Sequence, residues 1–194
     1  MNYYAIKEDF YTYPHQNFIT EIKGFDNSRA QINWDEFLLG YLKQKDRQYT
    51  ATLESGYEEV DFTTTFYGFC VISNKFKQLL EKHGICDCMI IPLIFNKQLS
   101  QPYYLLIDVL RFDCVDETNS EFQKFLENDP VRPDLAGRYR AFFKLIIDPS
   151  KTEGADIFRL AYEDSTIIVS QKIKDIYDEN QLTGASFNKV ILDN

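Results

Sequence analysis

Gly154-Ala155-Asp156-Ile157-Phe158-Arg159-Leu160, then Thr166-Ile167-Ile168-Val169-Ser170-Gln171-Lys172-Ile173-Lys174, then Leu182-Thr183-Gly184-Ala185-Ser186-Phe187: this stretch carries the plan of the chain. A short strand ends in Arg159-Leu160-Ala161, a turn runs through Glu163-Asp164-Ser165, and a β-branched strand from Thr166 to Val169 returns beside it. The period then changes from two to 3.6. Ser170 suits an N-cap, and Ile173, Ile176 and Tyr177 follow at i, i+3, i+4 on one helical face. A last strand, Phe187 to Leu192, closes the unit.

The same plan stands earlier in the chain. Cys70-Val71-Ile72-Ser73-Asn74-Lys75-Phe76-Lys77 matches Ile167 to Lys174 in residue type, with Ser73 opposite Ser170, Lys75 opposite Lys172 and Lys77 opposite Lys174. Phe76, Leu79 and Leu80 repeat the apolar face, and the strand from Met89 to Phe95 closes this copy. The related units fall at 69–95 and 166–192.

The rest reads outward from these. Tyr3 to Ile6 forms an opening strand, Tyr13-Pro14-His15-Gln16 a turn and Phe18 to Ile22 a strand. Trp34, Phe37, Leu38, Tyr41 and Leu42 have the spacing of an amphipathic helix capped by Asn33. Gln48 to Leu53 and Val60 to Phe66 read as strands joined around Ser55-Gly56. Tyr103 to Leu110 is an apolar run that suits a central strand covered on both faces. Ser120-Glu121-Phe122-Gln123 has capping-box form and predicts a short helix ending near Pro130. A strand from Arg140 to Ile147 leads into the Asp148-Pro149-Ser150 turn. The fold class is α+β, a mixed, largely antiparallel sheet with a few helices, in one domain spanning 1–194.

These quoted residues also carry a family likeness, most clearly from Phe69 to Val190. Asp156-Ile157-Phe158-Arg159, Ile168-Val169-Ser170 and Leu182-Thr183-Gly184-x-x-Phe187 resemble immunity protein family eleven of bacterial polymorphic toxin systems, with family forty-three a neighbour of similar ending. Tyr3-Tyr4, Asp113-Cys114-Val115-Asp116 and Ser120-Glu121-Phe122 support it. The resemblance implies an immunity protein that binds a cognate toxin domain and blocks its active surface without catalysis. The alternatives are a small-substrate enzyme working through clustered carboxylates or Cys86, and a secretion-system adaptor.

Composition is compatible with that expectation. Twenty-one Lys and Arg against thirty Asp and Glu give a net charge of −9, which disfavours nucleic acid and anionic membranes and favours a basic partner. The N-terminal residues have no apolar run of signal-peptide length, so the expected location is the cytoplasm, with Cys70, Cys86, Cys88 and Cys114 reduced.

No chemical constellation stands out. His83, Cys86 and Cys88 form a C-x-C cluster that only Cys70, Cys114 or His15 could complete, which is poor zinc spacing; no metal or cofactor is expected. Cys86 near His83 lacks an oxyanion loop. Asp108, Asp113, Asp116, Glu117 and Glu121 could crowd on one side of the sheet. Arg132, Arg138, Arg140 and Lys144 interleave with Tyr139, Phe142 and Phe143, as an alternating strand would. The candidate partner-binding residues are Glu54, Tyr57, Glu58, Glu59 and Asp61, where acid surrounds a ring, with Asp113, Asp116 and Glu117 as a second group.

Overall fold

The computed structural model describes residues 2–23, 49–65, 68–108, 110–163 and 165–192. In chain order the strands are β1 (Tyr3–Glu8), β2 (Phe18–Lys23), β3 (Tyr49–Ser55), β4 (Phe62–Thr64), β5 (Cys70–Ser73), β6 (Cys88–Phe95), β7 (Tyr103–Asp108), β8 (Arg111–Phe112), β9 (Glu121–Lys124), β10 (Tyr139–Lys144), β11 (Ile146–Ile147), β12 (Ile157–Leu160), β13 (Ile167–Ser170), β14 (Ala185–Lys189) and β15 (Ile191–Leu192). Helix α1 spans Asn74–Lys82 and helix α2 spans Gln171–Glu179. Mixed sheets with mostly antiparallel pairing, and helices beside them, make the class α+β. The chain divides into two compact units, one of Lys7–Val109 with Ile176–Ser186, the other of Met1–Ile6, Leu110–Asp175 and Phe187–Asn194.

The first unit is built on a six-stranded sheet ordered β2-β3-β6-β7-β5-β4. Strand β7 is central, as its nearly continuous apolar run predicts: a strand between two neighbours with both faces covered has no use for polar alternation. Leu105 and Ile107 there are almost fully buried beside Val71, Ile91 and Ala51. Within this sheet β3 and β6 run parallel. Helix α1 begins where the Ser73 hydroxyl accepts the Phe76 N–H at 3.1 Å, buries Phe76 and Leu80, and ends at His83 before Gly84 turns left-handed at φ +69°. The reading of β3 and β4 as strands joined around Ser55-Gly56 finds both strands but no hairpin. They lie at opposite sides of the sheet, because β4 pairs with β5 and β3 with β2 and β6.

The second unit holds a five-stranded sheet ordered β14-β1-β13-β12-β8. The opening strand is therefore an inner strand, with Tyr3 opposite Ser170 and Ile6 opposite Ile167. Tyr3 meets Phe158 edge-on at 5.4 Å between ring centroids, and its hydroxyl shares a 2.7 Å hydrogen bond with Thr152. Phe158, Leu160, Ile168 and Ile147 complete the core. Strands β9 and β10 form a separate antiparallel pair, and β11 pairs with β15 in parallel.

Three local readings are corrected by the structure. Ser120-Glu121-Phe122-Gln123 opens no helix: Glu121–Lys124 is a strand, and the Ser120 hydroxyl accepts the Ile146 N–H at 3.0 Å and donates to the Ile146 carbonyl at 3.1 Å instead of capping a turn. Tertiary pairing with β10 overrides the local motif. The strand from Arg140 to Ile147 breaks into β10 and β11 at Leu145, and Phe187 to Leu192 breaks into β14 and β15 at Val190, whose N–H turns to the Tyr3 carbonyl at 2.9 Å. The helix expected at Trp34 to Leu42 lies outside the described residues.

Gly184 occupies a tight position. At φ +96° a Cβ there would stand 2.1 Å from the Phe62 carbonyl oxygen and 2.7 Å from the Val60 Cβ. Gly84 is also left-handed, but a Cβ there would meet nothing within 4 Å. Gly184→Ala is expected to cost about 3 kcal/mol or more, from backbone strain plus clash, whereas Gly84→Ala costs about 1 kcal/mol. Urea denaturation of the two variants beside the parent chain measures the difference.

Candidate partner-binding surface

The turn after β1 and the loop between β3 and β4 are laced together by backbone. Tyr57 and Glu58 both donate N–H groups to the His15 carbonyl, at 3.1 and 3.0 Å, and Asn17 donates to the Glu58 carbonyl at 3.0 Å. Gly56 makes this approach possible: at φ +88° a Cβ would fall 2.4 Å from the Gln16 carbonyl oxygen. The lacing holds the Tyr57 ring flat against His15, with centroids 5.0 Å apart and 21° between planes, while Tyr57 stays 77% exposed.

Two further rings stand out from the same turn. Phe10 is 53% exposed and Tyr11 fully so. A turn closed by the Tyr13 N–H on the Asp9 carbonyl, and by the Thr12 N–H on the Asp9 carboxylate at 3.0 Å, presents them. Hydrogen bonds from the Thr12 side chain and backbone hold the Asp9 carboxyl below its usual range, so it is charged at any neutral pH. The neighbouring Tyr13 phenol is pushed up, first by burial and then by the charges of Asp9, Glu58 and Asp61. The result is three exposed rings among acidic groups. Sequence reasoning does not single out Phe10, Tyr11 or His15 as partner-binding residues. The signal available is Phe10-Tyr11-Thr12-Tyr13-Pro14, rings placed where no strand could bury them.

The sequence candidates separate into distinct kinds. Glu54 is exposed at the end of β3, and Glu58 is half-buried beside Tyr57. Glu59 is committed to Ser100, accepting its N–H at 2.9 Å and its hydroxyl at 2.5 Å. Asp61 is only 6% exposed: one carboxylate oxygen accepts the Ser73 hydroxyl at 2.6 Å, the other the Thr183 N–H at 3.0 Å and hydroxyl at 3.2 Å. Its geometry is that of a fold-holding group.

In the other unit Asp113 is exposed. Asp116 turns its carboxylate inward on its own loop, accepting from Thr118 and Asn119, and sits below its usual pKa chiefly through the Asn119 side chain. Glu117 accepts Lys124 at 2.6 Å and the Tyr139 hydroxyl at 2.5 Å, and these two bonds, Lys124 first, lower its pKa. Glu121 is exposed on β9. Two basic residues of the strip are paired locally, Arg132 with Asp134 at 2.8 Å and Arg140 with Asp129 at 3.1 Å. Among the described residues no three His, Cys, Asp or Glu side chains converge as a metal site. No helix among them is long and apolar enough to cross a membrane.

The Imm11 immunity protein family model matches residues 41–191. The chain belongs to this family of immunity proteins. No curated protein matches it. Of the carboxylates that the sequence offers for chemistry, Asp116 is bonded within its own loop and Glu117 to Lys124 and Tyr139.

The thiols differ sharply. Cys86 is exposed and Cys88 partly so, whereas Cys70 and Cys114 are buried, and burial pushes the Cys114 thiol up to about 12. Alkylation with iodoacetamide, followed by peptide mass spectrometry, is expected to label Cys86 first and Cys88 next. Cys70 and Cys114 label only once the chain is unfolded.

Proposed function

We propose that this Imm11 protein is the cytoplasmic immunity component of a bacterial polymorphic toxin system. The whole chain acts as one domain that binds a cognate toxin domain and covers its active surface, catalysing nothing itself. The match over residues 41–191 carries this reading. The geometry adds a surface suited to covering a partner, with Phe10, Tyr11 and the His15-backed Tyr57 as anchors and Asp9, Glu54 and Glu58 beside them. Rings supply buried area at low entropy cost, and Tyr57 is already held in place by its stack.

The partner this surface fits is basic. A chain of net charge −9 with acid around its anchors steers a cationic domain toward itself, and steering acts on the association rate over a Debye length of about 8 Å at physiological salt. Asp113 and Glu117 with Asp116 form the second candidate face. An enzyme working through these carboxylates is disfavoured by their bonding, since Asp116 and Glu117 are occupied by Thr118, Asn119, Lys124 and Tyr139.

The test pairs this protein with the toxin domain encoded beside it. Coexpression is expected to restore growth, and the purified pair to associate more slowly as salt rises while dissociation changes little. Glu54→Lys with Glu58→Lys should slow association about tenfold at low salt, and Tyr57→Ala should speed dissociation about tenfold or more, since it removes anchor area and no charge. Wild-type rates in both variants would move the face to Asp113 and Glu117. A salt-independent association rate would refute steering, and failure to protect would refute the immunity reading itself.

A further inference from the structure

The two strand–helix–strand segments agree far beyond their sequence likeness. In the six-stranded unit β6, β7, β5 and β4 lie side by side; in the five-stranded unit β14, β1, β13 and β12 lie side by side in the corresponding order. The registers coincide residue for residue. Ser73 pairs with Tyr103 and Ile72 with Tyr104, as Ser170 pairs with Tyr3 and Val169 with Tyr4. On the other side Phe62, Thr63 and Thr64 face Ile72, Val71 and Cys70, as Ile157, Phe158 and Arg159 face Val169, Ile168 and Ile167.

The polar contacts coincide as well. An aspartate just before the first strand of each set clasps the serine before the helix. Ser73 donates its N–H to the Asp61 carbonyl at 3.0 Å and its hydroxyl to the Asp61 carboxylate at 2.6 Å; Ser170 does the same to Asp156 at 2.9 and 2.5 Å. The next residue donates its N–H to the residue before a Tyr-Tyr pair, Asn74 to Pro102 and Gln171 to Asn2, each at 2.9 Å. The second tyrosine of each pair returns its hydroxyl to that residue's side chain, Tyr104 to Asn74 and Tyr4 to Gln171. A lysine three residues further on lies over the same ring, Lys77 over Tyr104 and Lys174 over Tyr4. Both helices then close alike, through a left-handed residue, Gly84 or Gln181, and an N–H to carbonyl bond of 3.0 Å from Ile85 to Leu80 or Leu182 to Tyr177.

We propose that the chain is two copies of one module, two antiparallel strands, a helix and a returning strand completed by a Tyr-Tyr strand, and that in the second copy this completing strand is supplied by residues 3–6. Hydrophobic packing alone would reproduce the strand order but has no reason to reproduce an aspartate that takes both the N–H and the hydroxyl of the serine before the helix, and a lysine over a tyrosine, at matched register. Tyr3-Tyr4 and Tyr103-Tyr104 are then the same strand, placed in the chain before one copy and at the end of the other. Asp61 becomes the counterpart of Asp156, a group belonging to the module.

The full-length chain tests this by grafting. Replacing residues 74–85 with the sequence of 171–182 puts the second helix in the first helix's seat; a control graft uses 170–181, nearly the same composition one residue out of phase. Hydrogen exchange with mass spectrometry is expected to show the in-phase graft keeping slow amides across that helix and the shifted graft losing about tenfold or more in protection. Equal exchange in the two grafts would overturn the proposal, whether both fold or neither does. Separately, Ser73→Ala and Ser170→Ala should each speed exchange in the first turn of their own helix by a similar factor, about fivefold. A response at one serine and none at the other would show the two positions to be unlike, and the duplication would fall.

Discussion

The carboxylate of Asp61 holds three separate stretches of chain in one place. It receives the Ser73 hydroxyl at the end of β5 and the Thr183 backbone and hydroxyl from a segment more than a hundred residues on, while the Asp61 N–H itself goes to the Thr183 carbonyl at 2.9 Å. A buried carboxylate costs heavily unless its lone pairs are filled by good donors, and here they are filled by the serine that also caps α1. The arrangement therefore fixes the start of the helix, the seat of β4 and the approach of Gly184 to Phe62 together. Asparagine at 61 would keep the shape and lose the charge; alanine would leave the Ser73 hydroxyl and the Thr183 N–H without their acceptor.

A scaffold held in this way leaves the loops at its margin free to differ. In the six-stranded unit the loop before Asp61 carries Tyr57, exposed and stacked on His15; the loop before Asp156 carries Thr152, buried and bonded to Tyr3. The contrast shows that the position before the clasping aspartate does not demand an exposed ring. A large aromatic left in solvent, backed by a second ring and followed in the chain by an acid, is the sort of feature that binding surfaces are made of.

Much of the fold is legible in the sequence because its signals are local and repeated. Apolar runs and β-branching mark β5, β7 and β13, the Tyr-Tyr pair opens β1, and Ser followed by a 3.6-residue apolar period marks both helices. What is not legible depends on distant pairing. Ser120 looks like a cap until Ile146 is placed against it, and β3 and β4 look like a hairpin until β5, which lies later in the chain, takes the pairing edge of β4. The candidate surface is half legible: Tyr57 and its acids stand out by composition. The burial of Asp61 cannot be read without Ser73 and Thr183, and the role of His15 as a support cannot be read without the turn that brings it under the ring.

Strand β1 is synthesised well before the strands on either side of it, β13 and β14, which follow it by more than a hundred residues. Until they emerge it has hydrogen-bonding edges and an apolar face with nothing to satisfy them, which makes it a segment for chaperones to hold and a hazard if synthesis stalls. The sheet cannot close progressively along the nascent chain; it closes once β13 and β14 have been made, and such long-range closure is slow. A fragment that stalls before β13 would thus hold β1 with neither of its neighbours.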